Sequence, residues 1–133
     1  MIHLVAIGKL RERYIREGVD YYLKLIKRWC PVKEWEVDRI ENFLVRDGYH
    51  VLLDERGKLF DSLSFSRWLQ ERLKMDIYFY IGGADGFGNE VKKKADFLLS
   101  LSPLTFPHEL ARLILAEQIY RALSILKGTP YHR

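Results

Sequence analysis

The stretch Ile77-Tyr78-Phe79-Tyr80-Ile81-Gly82-Gly83-Ala84-Asp85-Gly86-Phe87-Gly88 is the most informative part of this chain. Its first five residues form an uncharged apolar and aromatic run, too short for a helix of ordinary length and well suited to a strand buried on both faces. The run passes directly into a segment where Gly82, Gly83, Gly86 and Gly88 leave the backbone without Cβ atoms. Such a backbone can approach a ligand closely or fold into a tight turn. No Lys-Ser/Thr pair follows, so this is not a Walker A loop, and the spacing does not fit a dinucleotide fingerprint. Taken alone, the stretch is either a ligand loop or an ordinary strand-to-helix turn.

On either side the same alternation continues. Ile2 to Ile7 is an apolar run ending at Gly8, and Tyr14 to Trp29 places Tyr14, Val19, Tyr22, Leu23 and Ile26 at roughly helical spacing. Val32 to Val37 alternates, with Val32, Trp35 and Val37 as inward candidates, and a short helical patch covers Ile40 to Val45. Tyr49 to Leu53 reads as a second buried strand, closed by Asp54-Glu55-Arg56-Gly57, after which Ser64 is placed to cap a helix. Phe97 to Leu101 is another apolar run, ending at Ser102-Pro103. Strands that alternate with helices predict an α/β fold, a mostly parallel sheet with helices on both faces. Ligands of such sheets bind beyond the carboxyl ends of the strands. Leu53-Asp54, Ile81-Gly82 and Leu101-Ser102 are therefore expected to converge on one crevice.

The 133 residues carry a formal charge of +4, with 48% hydrophobic and 30% charged residues. That length suits one domain over residues 1–133, and the composition is that of a folded chain. The modest basic excess fits an anionic partner without requiring one. Cys30 is the only cysteine, which excludes an intrachain disulfide and points to a reducing, cytoplasmic home; no Cys/His spacing suggests a metal site. The opening run is too short to span a membrane and has no cleavage signature. The last helix, His108 to Leu126, is apolar on more than one side, which predicts a homodimer with this helix in the interface.

Two further segments can carry chemistry. Leu101-Ser102-Pro103-Leu104-Thr105-Phe106-Pro107-His108 is apolar yet irregular, and its free backbone groups could read an adenine edge while Leu104 and Phe106 cover the ring. A buried connection with Thr105 as helix cap is the other reading. The terminus Pro130-Tyr131-His132-Arg133 unites a phenol, an imidazole and a guanidinium, functions that suit RNA, although most tails fray. Lys92-Lys93-Lys94 reads as a solvated helix face and Glu117 with Arg121 as an i, i+4 pair. Asp54 and Glu55 read as a turn, and His3 and His50 as packed strand residues.

In combination, Leu52-Leu53-Asp54-Glu55 with Gly57, Ile81 to Gly86, Leu101 to His108, Arg121-Ala122 and Tyr131-His132-Arg133 resemble the bacterial 23S rRNA pseudouridine N3-methyltransferases of the SPOUT superfamily. The resemblance runs from Leu4-Val5-Ala6-Ile7-Gly8 to the last residue. It implies an α/β fold with a C-terminal trefoil knot, a topology that the usual connection rules would reject. It also implies S-adenosyl-L-methionine held at Leu53, at Gly82, Gly83 and Gly86, and at Leu101, Ser102, Pro103, Leu104, Thr105 and Phe106. The implied substrate is 23S rRNA within the assembled ribosome, and the implied assembly is a homodimer. Before Leu53 this chain is shorter than typical members.

In this reading the methyl donor needs in-line alignment, and N3 of the imide needs help losing its proton. His132 is the candidate for positioning or accepting that proton and Tyr131 for contacting the base. Arg121 and Arg133 are candidates for phosphate or imide charge. The rival enzyme is a related knotted tRNA methyltransferase, and the rival from another class is a non-catalytic ribosome-binding assembly factor.

Overall fold

The computed structural model describes residues 1–132. In chain order these residues build β1 (Ile2–Ile7), α1 (Arg13–Ile26), β2 (Val32–Val37), α2 (Glu41–Leu44), β3 (Tyr49–Leu59), α3 (Ser62–Arg72), β4 (Ile77–Ile81), α4 (Asn89–Lys94), β5 (Phe97–Ser100) and α5 (His108–Lys127). The strands form one sheet in the order β2-β1-β4-β3-β5, and every pairing is parallel. β4 is buried at every position, as its unbroken apolar run requires.

Each face of the sheet has its own core. Ile2, Leu4, Ala6, Val51, Ile77, Phe79, Ile81 and Leu99 pack under the longer helices, with Ile15, Val19 and Leu23 of α1, Phe65 and Leu69 of α3, and Leu115 and Ile119 of α5. On the opposite face Val5, Leu52, Tyr78 and Tyr80 pack with Ile40, Phe43 and Leu44 around α2 and with Phe87, Val91 and Ala95 around α4. Helices thus cover both faces of a parallel sheet. His3 and His50 belong to the second layer, where both stack on Tyr78. His50 is also bonded through Nδ1 to the Tyr80 hydroxyl at 2.7 Å and through Nε2 to the Arg46 carbonyl at 2.8 Å.

Several boundaries differ from the sequence expectation. Helix α1 ends at Ile26 rather than Trp29, and its inward face begins at Ile15 while Tyr14 is 65% exposed. The neighbours that Tyr14 was expected to share lie on the stripe through Ile15, Val19, Leu23 and Ile26. Asp61, not Ser64, caps α3: its carboxylate accepts the Ser64 N–H at 2.7 Å. Thr105 caps nothing, because α5 starts after Pro107 and the Thr105 hydroxyl donates to Glu55 instead.

The largest difference lies in β3. The strand does not close at Asp54-Glu55-Arg56-Gly57 but continues to Leu59, with a shift of register against β5 between Leu53 and Lys58, both of which pair with Leu99. A bulge of this kind absorbs polar residues into a strand by removing them from the ladder. Gly57 makes the bend possible, since a Cβ there would lie 2.5 Å from the Leu98 carbonyl oxygen.

The apolar surplus of α5 is largely met within the chain. Leu110, Leu113 and Leu126 pack against the core shared with α1 and α3, and Gly18 of α1 admits Leu113, whose Cδ1 lies 2.7 Å from where a Gly18 Cβ would be. Ile114 and Ile125 stay half-buried outside either core. Among the described residues no helix is long and apolar enough to cross a membrane.

Candidate functional site

At the carboxyl ends of β4 and β5, and beside the β3 bulge, a cavity of about 840 Å³ opens. Its walls come from the three segments expected to converge: Leu53 to Arg56 of the bulge, Ile81 to Phe87 of the glycine turn, and the loop from Leu101 to Pro107. Leu53, Gly82, Gly83, Gly86, Leu101, Ser102, Leu104, Thr105 and Phe106 all line it, whereas Pro103 does not. Pro103 lies in the same loop and is exposed.

The glycine turn is shaped by its sequence. The Gly86 N–H donates to the Gly83 carbonyl at 3.0 Å, and Gly86 has φ +67°, a backbone that side chains disfavour. A Cβ on Gly82 would sit 3.1 Å from the Gly86 backbone, so the two strands of the turn touch there. Gly83 has room: its Cβ would meet only Ile7, at 3.8 Å. Leu104, in the loop after β5, is 72% exposed and lines the cavity.

Sequence reasoning missed several lining groups. Asp54 is read there as part of a turn and Lys92 as part of a solvated helix face, yet the two meet at 2.7 Å beside the cavity. Burial alone would raise the Asp54 pKa, but the Lys92 ammonium, the Arg56 N–H and their charge outweigh it and hold the carboxyl below its ordinary value. His108 and Ala111, on the first turn of α5, complete the wall. No spacing in the sequence links Lys92 to Asp54; only the fold brings them together.

The C-terminal residues form a second cluster. Tyr131 donates to Glu117 Oε2 at 2.8 Å, lies 3.2 Å from the Tyr22 hydroxyl and packs edge-on to Tyr120. Arg121 holds Glu117 at 2.6 Å, covers the Tyr131 ring and donates to His132 Nδ1 at 3.1 Å. The tail is therefore folded back on α1 and α5 rather than frayed. Burial, then the bonds to Tyr22 and Glu117, push the Tyr131 phenol far up, so it stays neutral at any ordinary pH. Since a guanidinium only donates, His132 Nδ1 is the acceptor and its ring proton resides on Nε2. That arrangement leaves His132 a donor toward any outside group. Arg133 lies outside the described residues.

The two clusters are separate within one chain. Ala111 lines the cavity while Arg121 lies ten positions further along α5, about 15 Å at the rise of an α-helix. Among the described residues, none of the tail lines the cavity.

Residues 1–132 match the family described as "Predicted SPOUT methyltransferase". The chain belongs to the SPOUT methyltransferase family. Among its relatives in that family, a protein of Coprothermobacter proteolyticus named Ribosomal RNA large subunit methyltransferase H is 44% identical over 137 residues, covering 99% of each chain. One of the same name from Prochlorococcus marinus strain MIT 9515 is 46% identical, over 99% of this chain and 95% of the other. The fold recurs in a probable methylase family protein from Haemophilus influenzae, with TM-score 0.69 over 99% of this chain and 70% of that one at 11% identity. It recurs also in a Legionella pneumophila protein solved with bound SAM, with TM-score 0.59 over 92% and 66% at 16% identity.

Proposed function

We propose that this chain is an S-adenosylmethionine-dependent methyltransferase that modifies N3 of a pseudouridine in 23S rRNA on assembled ribosomes. The observation that carries this reading is near-complete coverage, at 44% identity, by a relative named Ribosomal RNA large subunit methyltransferase H. It is supported by a cavity built from the three segments that the family resemblance implies for the cofactor.

The residues present suit that cofactor. A cavity of about 840 Å³ falls within the usual size of a small-molecule site. Leu53, Leu104 and Phe106 supply apolar cover for an adenine, and the glycine turn brings bare backbone to its edge. When bound, the cofactor supplies a methyl group on a sulfonium that leaves as a neutral thioether. The protein has to orient donor and base and to shield the reaction from water. Arg121 and His132 offer donors for the imide as it loses its proton, while Tyr131, whose O–H is given to Glu117, offers its ring for contact with the base. His132 acts there through Nε2–H, which leaves the proton acceptor to another group or to water.

The working unit in this reading is a homodimer in the cytoplasm, with the family's C-terminal knot. One argument favours shared sites: among the described residues the tail cluster does not line the cavity of its own chain, so in this reading a second chain brings its tail there. Ile114 and Ile125, half-exposed on the same helix, suit such a contact.

Titration calorimetry with S-adenosylmethionine tests the pocket. The wild-type chain is expected to bind, and Gly83→Val to lose binding while unfolding as cooperatively as before, because its side chain meets only Ile7 at contact distance and otherwise fills the cavity. Gly82→Val is a poorer probe, as its Cβ would push on the Gly86 backbone and deform the turn. Undiminished binding by Gly83→Val would remove the glycine turn from the site.

A further inference from the structure

The β3 bulge grips both walls of the cavity. Asp54 Oδ2 holds Lys92 of α4 at 2.7 Å while its Oδ1 accepts the Arg56 N–H at 2.9 Å. Helix α4 starts directly after Gly88, so this ion pair anchors the far end of the glycine turn. The next residue, Glu55, takes the other wall: its Oε2 accepts the Thr105 hydroxyl at 2.7 Å, and its carbonyl accepts from Ser100 Oγ at 3.1 Å. Ser100 Oγ is shared with the Ser102 carbonyl at 3.0 Å, which draws the start of the same loop toward the bulge.

This arrangement depends on the register shift between Leu53 and Lys58. In a regular strand, residues 54–57 would be spent on the ladder with β5; here the bulge frees them to hold what flanks the cavity. Both carboxylates are spent on contacts within the chain, Asp54 on Lys92 and Glu55 on Thr105. What they share is that each ties a different segment without regular structure, a glycine turn and an irregular loop, to one strand.

We infer that Asp54 and Glu55 are positioning residues for the cofactor, setting the distance between the two walls that close on it. The inference rests on the cofactor reading above. The two arms differ in strength. Asp54 is 9% exposed at its side chain, so its pair with Lys92 is poorly screened, whereas Glu55 and Thr105 stand in solvent and contribute less.

The test is calorimetric titration of the full chain with S-adenosylmethionine, with substitutions at Lys92 and Thr105, the partners of the two carboxylates, so that the strand itself is undisturbed. Lys92→Met is expected to raise the Kd about tenfold, the size seen when a group supporting a metal ligand is removed. Asp54→Asn should do the same, and the double variant should be no worse than the poorer single, since one interaction is lost in all three. Thr105→Val should weaken binding by a smaller factor, and Thr105→Ser should restore it because the hydroxyl returns. Melting temperatures separate positioning from simple stabilisation: a purely structural pair would lower the melting temperature while leaving the Kd of the folded protein unchanged. Folded Lys92→Met and Thr105→Val chains with wild-type Kd would overturn the inference, as would Lys92 and Asp54 effects that multiply in the double variant. A wild-type chain that gives no binding would instead refute the cofactor reading on which the inference stands.

Discussion

Asp54 illustrates how a residue's meaning changes once its neighbours are known. In sequence it follows an apolar run and looks like the first residue of a turn; in the fold it is a mostly buried carboxylate whose charge is kept by Lys92. A carboxyl whose pKa is depressed on folding stabilises the native state above its unfolded value, near the ordinary 3.8, and loses that contribution as pH falls through the lower folded value. The stability difference between wild type and Lys92→Met should accordingly be full at neutral pH and shrink below about pH 4. Thermal melts of the two chains across the acid range measure this, and a difference that persists undiminished to strong acid would mean that the ion pair contributes nothing. The cavity residues Gly82, Gly83 and Leu104 were legible because glycine runs and apolar irregular loops have a direct physical meaning. Lys92 and His108 were not, since a lysine in a run of three and a histidine at a helix start have no local signature that separates them from solvent-facing residues.

Among the elements, α5 carries most of the organisation, and its hold on the sheet is electrostatic at one end. Arg112 is 5% exposed and reaches Glu34 at 2.6 Å and Glu36 at 2.7 Å on β2, while Arg16 of α1 closes the network on Glu34. Glu109 adds bonds from the N–H groups of Arg11 and Glu12 at 2.9 and 3.0 Å. Together these fix the first turns of α5, where His108 and Ala111 face the cavity. Arg112→Met should cost about 2 kcal/mol, because Glu34 and Glu36 lose the more buried of their two arginine partners and keep only Arg16. Urea unfolding measures the loss, and a cost below about 0.5 kcal/mol, the range of an ordinary surface change, would contradict it. The elements themselves were readable from periodicity, including the short helix near Ile40 and the buried β4. The length of β3 was not, because a bulge hides polar residues inside a strand and periodicity sees only the apolar part. The two-sided apolar pattern of α5 overstated the exposed surface, since α1 and α3 flank the helix and cover much of it.

At the scale of the whole molecule, a chain of 133 residues with a charge of only +4 has little basic surface with which to select one nucleotide in free RNA. Recognition then has to draw on the surroundings of the target, which favours the assembled ribosome over stripped rRNA. In the proposed dimer the tail of one chain would complete the cavity of the other, since among the described residues the tail cluster does not line the cavity of its own chain. The fold class was legible in the order of strands and helices, and the family in ordered motifs. The most direct measurement is mass mapping of rRNA nucleotides after ribosomes from a strain lacking the modification are incubated with the chain and S-adenosylmethionine. One added methyl at N3 of a single pseudouridine in 23S rRNA is the expected result, with far less on protein-free rRNA. A methylated tRNA, or ribosomes bound but left unmethylated, would contradict the account.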